Sequence, residues 1–170
     1  MSKSFVHLHA HTEYSMLDGA AKIDDYLDRV KELNQPGAAI TDHGNLYGAL
    51  EFYHSALKKK LIPIIGYEAY VINDSRFDRP DRENNKRYHL TLLAENTVGY
   101  WNLVKMASKA FTEGYYYKPR VDYELLKDHS EGIIALSGCL GGEISQFLAP
   151  DGSVEEGNQE GERSFSKALE

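Results

Sequence analysis

Short runs rich in β-branched and aromatic residues alternate with amphipathic stretches along most of this chain, and that alternation restricts it to the α/β class. Residues 5–9 form the first β-prone run. Residues 22–34 follow, with Ile23, Tyr26, Leu27, Val30 and Leu33 three and four apart, the spacing of one helix face. Pro36 and Gly37 end that helix, residues 38–41 predict a second strand, and residues 47–60 a helix with Leu50, Tyr53 and Leu57 on its apolar stripe. Residues 62–71, 88–94 and 132–137 predict three more strands, residues 98–111 a helix, and residues 122–128 a short one. Between the third and fourth strands, residues 73–87 mix both signs of charge and predict a solvated, mobile loop. Strands separated by helices predict parallel pairing through crossover units.

A closed eight-stranded barrel takes about 250 residues. Five strands therefore predict either a smaller open sheet or the front portion of a longer protein. The character changes after Pro150 to Gly, Ser and Glu, so residues 1–150 read as one metal-binding domain and residues 151–170 as a polar, acidic segment that begins a further helix.

Polar groups with metal affinity recur at the ends of these runs. In His7-Leu8-His9-Ala10-His11, strand alternation would put three imidazoles on one face, and two of them spaced by two residues can chelate one ion. His7 lies deepest in the run and is expected to face the interior. Asp18 precedes a helix, where an N-cap explains it as well as a ligand does. Thr41-Asp42-His43-Gly44-Asn45 follows the second strand at its carboxyl end, where α/β folds place functional groups. There Asp42 is expected either to orient the His43 ring or to cap the next helix. Glu68 sits in an apolar strand and needs a partner, because an unpaired buried charge is costly. His89 begins the fourth run. Cys139, in the Gly-rich turn after the fifth, would as a thiolate favour a thiophilic ion such as zinc. The same turn, residues 138–142, leads to Glu143 and offers a weaker phosphate-cradle reading. Lys58, Lys59 and Lys60 read as a solvated cationic helix end.

Charge and cysteine content narrow the function classes. A net charge of −7 opposes nucleic-acid binding by backbone electrostatics alone, unless bound metals supply positive charge locally. One cysteine allows no internal disulfide and fits a reducing, cytoplasmic setting. Residues 1–6 predict neither a signal peptide nor a membrane span.

These motifs together resemble the PHP (polymerase and histidinol phosphatase) domain: His9-x-His11 followed by Thr12-Glu13-Tyr14-Ser15-Met16-Leu17-Asp18-Gly19, then Thr41-Asp42-His43-Gly44-Asn45, Gly66-Tyr67-Glu68-Ala69-Tyr70, His89-Leu90-Thr91 and Ser137-Gly138-Cys139. The likeness runs from about residue 5 to about residue 148. The segments around Tyr14 and Glu68 are most similar to the branch that opens bacterial DNA polymerase III alpha subunits. The resemblance implies a distorted TIM-like barrel of seven β/α units, here incomplete at about five. It implies nine ligands for up to three divalent ions, zinc first, with manganese or magnesium as alternatives. His9, His11, Asp18, His43, Glu68, His89 and Cys139 match seven of them, and a late Asp-x-His pair has no counterpart.

By that resemblance the chain is expected to be the amino-terminal piece of a DNA-directed DNA polymerase. Its partners would be the DNA primer 3′ end, a proofreading exonuclease subunit and a sliding clamp, with no membrane. The site itself would hydrolyse phosphodiesters as a 3′–5′ exonuclease, with a metal-activated hydroxide as nucleophile and no side-chain nucleophile. The isolated chain is expected to be weakly active or inactive. Two other readings share the ligands: a metal-stabilised scaffold that docks a separate exonuclease, and a small-molecule phosphatase of the histidinol phosphate type.

Overall fold

The computed structural model describes residues 5–81 and 84–148, so the expected helix within residues 151–170 lies outside the described residues. In chain order the elements are α1 (Ile23–Glu32), β1 (Gly37–Ile40), α2 (Ala49–Lys58), β2 (Ile62–Ile72), β3 (Tyr88–Ala94), α3 (Thr97–Thr112), β4 (Arg120–Asp122), α4 (Tyr123–Asp128), β5 (Ile133–Leu136) and α5 (Glu143–Leu148). The class is mixed α/β with a five-stranded sheet, as a partial barrel requires.

Pairing departs from the expected all-parallel arrangement. β1 and β4 run parallel to β2, but β3 is antiparallel to β2 and β5 is antiparallel to β3. The physical reason is the connection: among the described residues no helix lies between β2 and β3, and a strand that returns without a crossover pairs antiparallel. Register places β3 along one edge of β2, with β1 and then β4 along the other.

The first β-prone run is not a regular strand. Among the described residues, the Ala39 N–H bonds to the His7 carbonyl at 3.0 Å and, just past the run, the Thr41 N–H bonds to the Ala10 carbonyl at 2.9 Å. His7, Leu8 and His9 are all exposed, so no alternating apolar face holds the run to a core. Arg120–Asp122 went unread as a strand because three residues, two of them charged, carry no hydrophobic period.

α1 follows its sequence pattern, burying Ile23, Leu27 and Val30, with Asp24 and Asp25 in its first turn and Arg29 and Lys31 in its last, as the macrodipole favours. α2 inverts the expectation. It buries Ala49, Phe52 and Ala56, and leaves Leu50, Tyr53 and Leu57 exposed at 65%, 42% and 49%. Small residues let the helix approach closely, and Phe52 fills the cluster formed with Ile23, Leu27, Val30 and Ile40. Lys59 is less solvated than its neighbours, since its Nζ reaches Asp28 at 2.5 Å and ties the end of α2 to α1.

β2 is covered on both faces. Tyr67, Ala69 and Val71 pack with Leu92, Leu103, Met106 and Leu125, which leaves Glu68, Tyr70 and Ile72 for the opposite face. α3 lies against the chain near Gly132: a Cβ on Gly99 would sit 1.7 Å from the Gly132 carbonyl oxygen, and backbone cannot retreat as a side-chain tip can. Gly99→Ala is expected to cost at least about 1–3 kcal/mol as overpacking, read from the denaturant midpoint.

The charged loop is pinned rather than wholly solvated. Arg76 is buried, and its guanidinium donates to Asp122 at 3.0 Å, Glu113 at 2.7 Å and Glu124 at 3.0 Å, while its backbone N–H donates to Asp122 at 2.9 Å. Asp122 also caps α4 by accepting from the Leu125 N–H. Burial pushes the Asp122 carboxyl up, but the Arg76 and Leu125 N–H groups and the Arg76 guanidinium outweigh it and hold the group below its ordinary range. A depressed folded-state pKa gives stability that is complete above the unfolded value, about 3.9, and is lost as pH falls through the folded value. The melting temperature of the wild type is therefore expected to fall more steeply than that of Asp122→Asn as the medium is acidified below about pH 4.

Candidate metal centre

The geometry of the site follows from strand direction. β1 and β2 run toward the same rim, β3 starts there because it is antiparallel, and β5 ends beside the start of β3. That is why His43 just past β1 and Cys139 just past β5 meet His89 at the beginning of β3.

Glu68 is at the centre. It is fully buried, and its two oxygens face different groups. Oε2 lies 2.5 Å from His9 Nε2 and 2.7 Å from His11 Nε2, whereas Oε1 lies 2.6 Å from His89 Nδ1 and 3.8 Å from both His43 Nδ1 and Cys139 Sγ. Asp18 is the second centre, in contact with His11 Nδ1 and 2.9 Å from His43 Nε2. Cys139 Sγ is 3.4 Å from His89 Nδ1. All seven residues singled out from the sequence thus lie in one cluster, and an open cleft of about 390 Å³ beside it is lined by His9, His11, Asp18 and Gly19.

Several sequence expectations change here. Asp18 does not cap α1, whose N-cap is Lys22 with no side-chain bond. The turn that carries it ends in Gly19, where a Cβ would collide with the Thr12 carbonyl oxygen at 2.2 Å, so Asp18 is held over the imidazoles instead. Asp42 does not touch the His43 ring. It accepts from the Thr12 N–H at 2.6 Å, the Thr12 hydroxyl at 2.7 Å and the Ser15 hydroxyl at 2.6 Å, and Ser15 Oγ in turn accepts from the His43 N–H at 3.0 Å. It therefore fixes the turn that carries His11 and Asp18. His7 points to the surface, edge-on to Phe5, because the run it sits in lacks regular strand pairing. In the Gly-rich turn, the Gly141 N–H donates to Cys139 Sγ and the Gly142 N–H to the Cys139 carbonyl, so neither is free for a phosphate.

Thr12, Ser15 and Tyr70 stand inside the quoted motifs but had no role assigned from sequence. Thr12 and Ser15 are small polar residues between two acids and a histidine, which was a usable signal. Tyr70 stacks on His43 with centroids 5.8 Å apart and meets His89 edge-on at 5.4 Å, and two-residue spacing from Glu68 was its only trace. Gly44 is required for its positive φ of 66° and because a Cβ there would press on Pro119 and Tyr70.

The electrostatics are those of one anion among several imidazoles. Burial pushes the Glu68 carboxyl up, yet hydrogen bonds with His11, His89 and His9 and the charge of His43 overcome it and hold Glu68 well below the carboxylate range. The Glu68 bond raises His11 above its ordinary value against the effect of burial, while burial lowers His43. His11 engages a carboxylate through each ring nitrogen, which demands the imidazolium if both contacts are hydrogen bonds. A cation between the groups removes that demand.

His43 Nδ1 is buried with no hydrogen-bond partner. That orphaned nitrogen, 3.8 Å from the Glu68 carboxylate, suits a divalent ion. Three overlapping groups have donor atoms close enough to share an ion: His9, His11 and Glu68; His11, Asp18 and His43; and His43, Glu68 and His89.

Known proteins resemble this chain over most of its length. The sequence model of the PHP domain matches residues 7–170. DNA polymerase III subunit alpha of Thermus aquaticus is 56% identical over 151 residues, covering 86% of this chain and 12% of that protein. The subunit of the same name from Deinococcus radiodurans is 52% identical over 154 residues, and that from Helicobacter pylori strain 26695 is 51% identical over 147, each with 86% of this chain and 12% of the relative covered. The chain thus spans about 12% of the length of the curated relatives it matches. No helix among the described residues is long and apolar enough to cross a membrane.

Proposed function

This chain belongs to the PHP domain family, and from that premise we propose that its His/Asp/Glu/Cys cluster is a divalent metal centre that hydrolyses phosphodiesters at the 3′ end of DNA, within a longer protein that is a replicative DNA polymerase. The observation that carries the reading is Glu68, a buried carboxylate whose two oxygens face two separate donor groups, His9 with His11 and His89 with Cys139. His11 and His43, joined through Asp18, offer a third. Divalent ions held there supply Lewis acidity for the phosphate and a water nucleophile active near neutral pH. Imidazole, carboxylate and thiolate together favour zinc, with manganese and magnesium suited only to the oxygen-rich part.

The residues have distinct tasks in this scheme. Glu68 joins two donor groups and keeps its charge because the imidazoles suppress its protonation. Asp42 orients the backbone turn through Thr12 and Ser15, so that His11 and Asp18 arrive together. Tyr70 fixes the planes of His43 and His89. In the longer protein, His11→Ala is expected to reduce 3′–5′ hydrolysis by more than about 100-fold, since even outer partners of ligands change activity by about 10–100-fold. Hydrolysis unchanged in a variant that melts like the wild type would contradict the proposal.

The outward face of α2, with Leu50, Tyr53 and Leu57, favours a second reading in which the domain also docks another protein surface, such as a proofreading exonuclease. Full replication fidelity after His11→Ala, together with retained binding of an exonuclease subunit, would select it over catalysis.

A further inference from the structure

Three arginines, the exposed Arg79, the half-buried Arg87 and the buried Arg120, stand apart from the paired charges of the fold. On the sheet face that carries Glu68, register sets His89 and Arg120 beside Tyr70 on its two sides. Arg87 lies just before β3 and two residues from His89, so chain length alone keeps its backbone within about 7 Å of that residue. Arg79 and Arg120 lie 5.7 Å and 5.2 Å from the Tyr116 ring centroid. Their N–H groups are engaged by backbone carbonyls: Arg79 by Arg76, Phe77, Asp78 and Glu113, Arg120 by Gly114, Arg76 and Asp78.

Neither these two arginines nor Arg87 has a carboxylate within ion-pair distance among the described residues, whereas Arg76 has three. Burial, then the charges of Arg79 and Arg87, press the Arg120 guanidinium below its ordinary value, with Asp78 opposing, so the three cations act on one another. Arg87 Nη1 is also buried with no hydrogen-bond partner. A buried donor left unpaired costs about 1–3 kcal/mol, and more when charged, so the position calls for an anion.

We propose that Arg87 binds a backbone phosphate of a single-stranded polynucleotide, next to the phosphate held at the Glu68 cluster, with Arg79 and Arg120 as a fixed positive field behind it. The inference rests on the reading of that cluster as a phosphodiester site and adds a second phosphate subsite at Arg87, which a phosphomonoester could not fill. The guanidinium fork matches phosphate oxygens, and the carbonyls that hold Arg79 and Arg120 keep their charge in place without neutralising it. In a chain of net charge −7, such a local excess of cations is what permits a polyanion to approach.

The test is binding of a labelled single-stranded oligonucleotide to the 170-residue chain in excess EDTA, followed by fluorescence anisotropy across a salt series. Arg87→Gln is expected to weaken binding equally for all base sequences and to lower the slope of log affinity against log salt by about 0.7, the value for one phosphate contact on a single strand. Arg87→Lys keeps the charge and should keep the slope. Lys105→Gln, an exposed cation on α3, should change nothing. A wild-type slope in Arg87→Gln, an equal drop in Lys105→Gln, or no binding by the wild type would overturn the proposal. Because binding is read without metal, its failure is separate from that of the metal centre, which metal content reports: a wild type that retains ions while Arg87→Gln binds normally loses only the phosphate subsite.

Discussion

Glu68→Gln is expected to remove two of the three donor groups at once and leave the chain with at most one bound divalent ion. Glu68 belongs to the groups with His9 and His11 and with His43 and His89, but not to the group of His11, Asp18 and His43. The substitution keeps the shape of the side chain and removes its charge, so a loss of metal reports the carboxylate rather than a collapsed cavity. Stability is expected to fall as well. The side chain is fully buried, and breaking a buried charged cluster by removing one partner costs about 3–5 kcal/mol. Metal content and a denaturant titration on the same preparation check both effects.

The second large effect lies away from the site. Arg76→Ala leaves Asp122 buried without its cation, at a cost again of about 3–5 kcal/mol, a large share of a typical domain stability of about 5–15 kcal/mol. Arg76 joins the loop after β2 to β4, to the end of α3 and to α4, so the loss should appear as a lower midpoint for the whole domain. Asp122→Asn keeps the cap on Leu125 and should cost less. A midpoint unchanged in Arg76→Ala would mean that the loop is solvated, as its composition first suggested.

How far the sequence could be read depended on the kind of signal each residue gave. His9, His11, His43, Glu68 and His89 were legible because metal-binding types stood at the ends of apolar runs, and the structure places their ring or carboxylate atoms together. α1 was legible because Ile23, Leu27 and Val30 are large and regularly spaced. α2 was misread because its buried face is built from Ala49 and Ala56, which a pattern of large residues cannot register, while Leu50 and Leu57 face outward. Strand direction was not legible, since it depended on the β2–β3 connection, whose charges gave no sign that Arg76 is buried. Asp18 and Asp42 each admitted two readings from sequence, because a loop acid beside a helix start can cap it or reach across space. The acid that looked like a cap reaches the imidazoles across space, and the acid adjacent to His43 turns instead to Thr12 and Ser15.

The central claim is that the cluster around Glu68 holds divalent ions. The most direct test is to strip the chain with a chelator, return zinc or manganese in equilibrium dialysis, and record ions bound per chain together with the melting temperature. The account predicts at least one tightly held ion per chain and a rise in melting temperature with free metal, amounting to about 2.7 kcal/mol of added stability at a hundredfold excess over the dissociation constant. No retained ion, and a melting temperature indifferent to either metal, would contradict it.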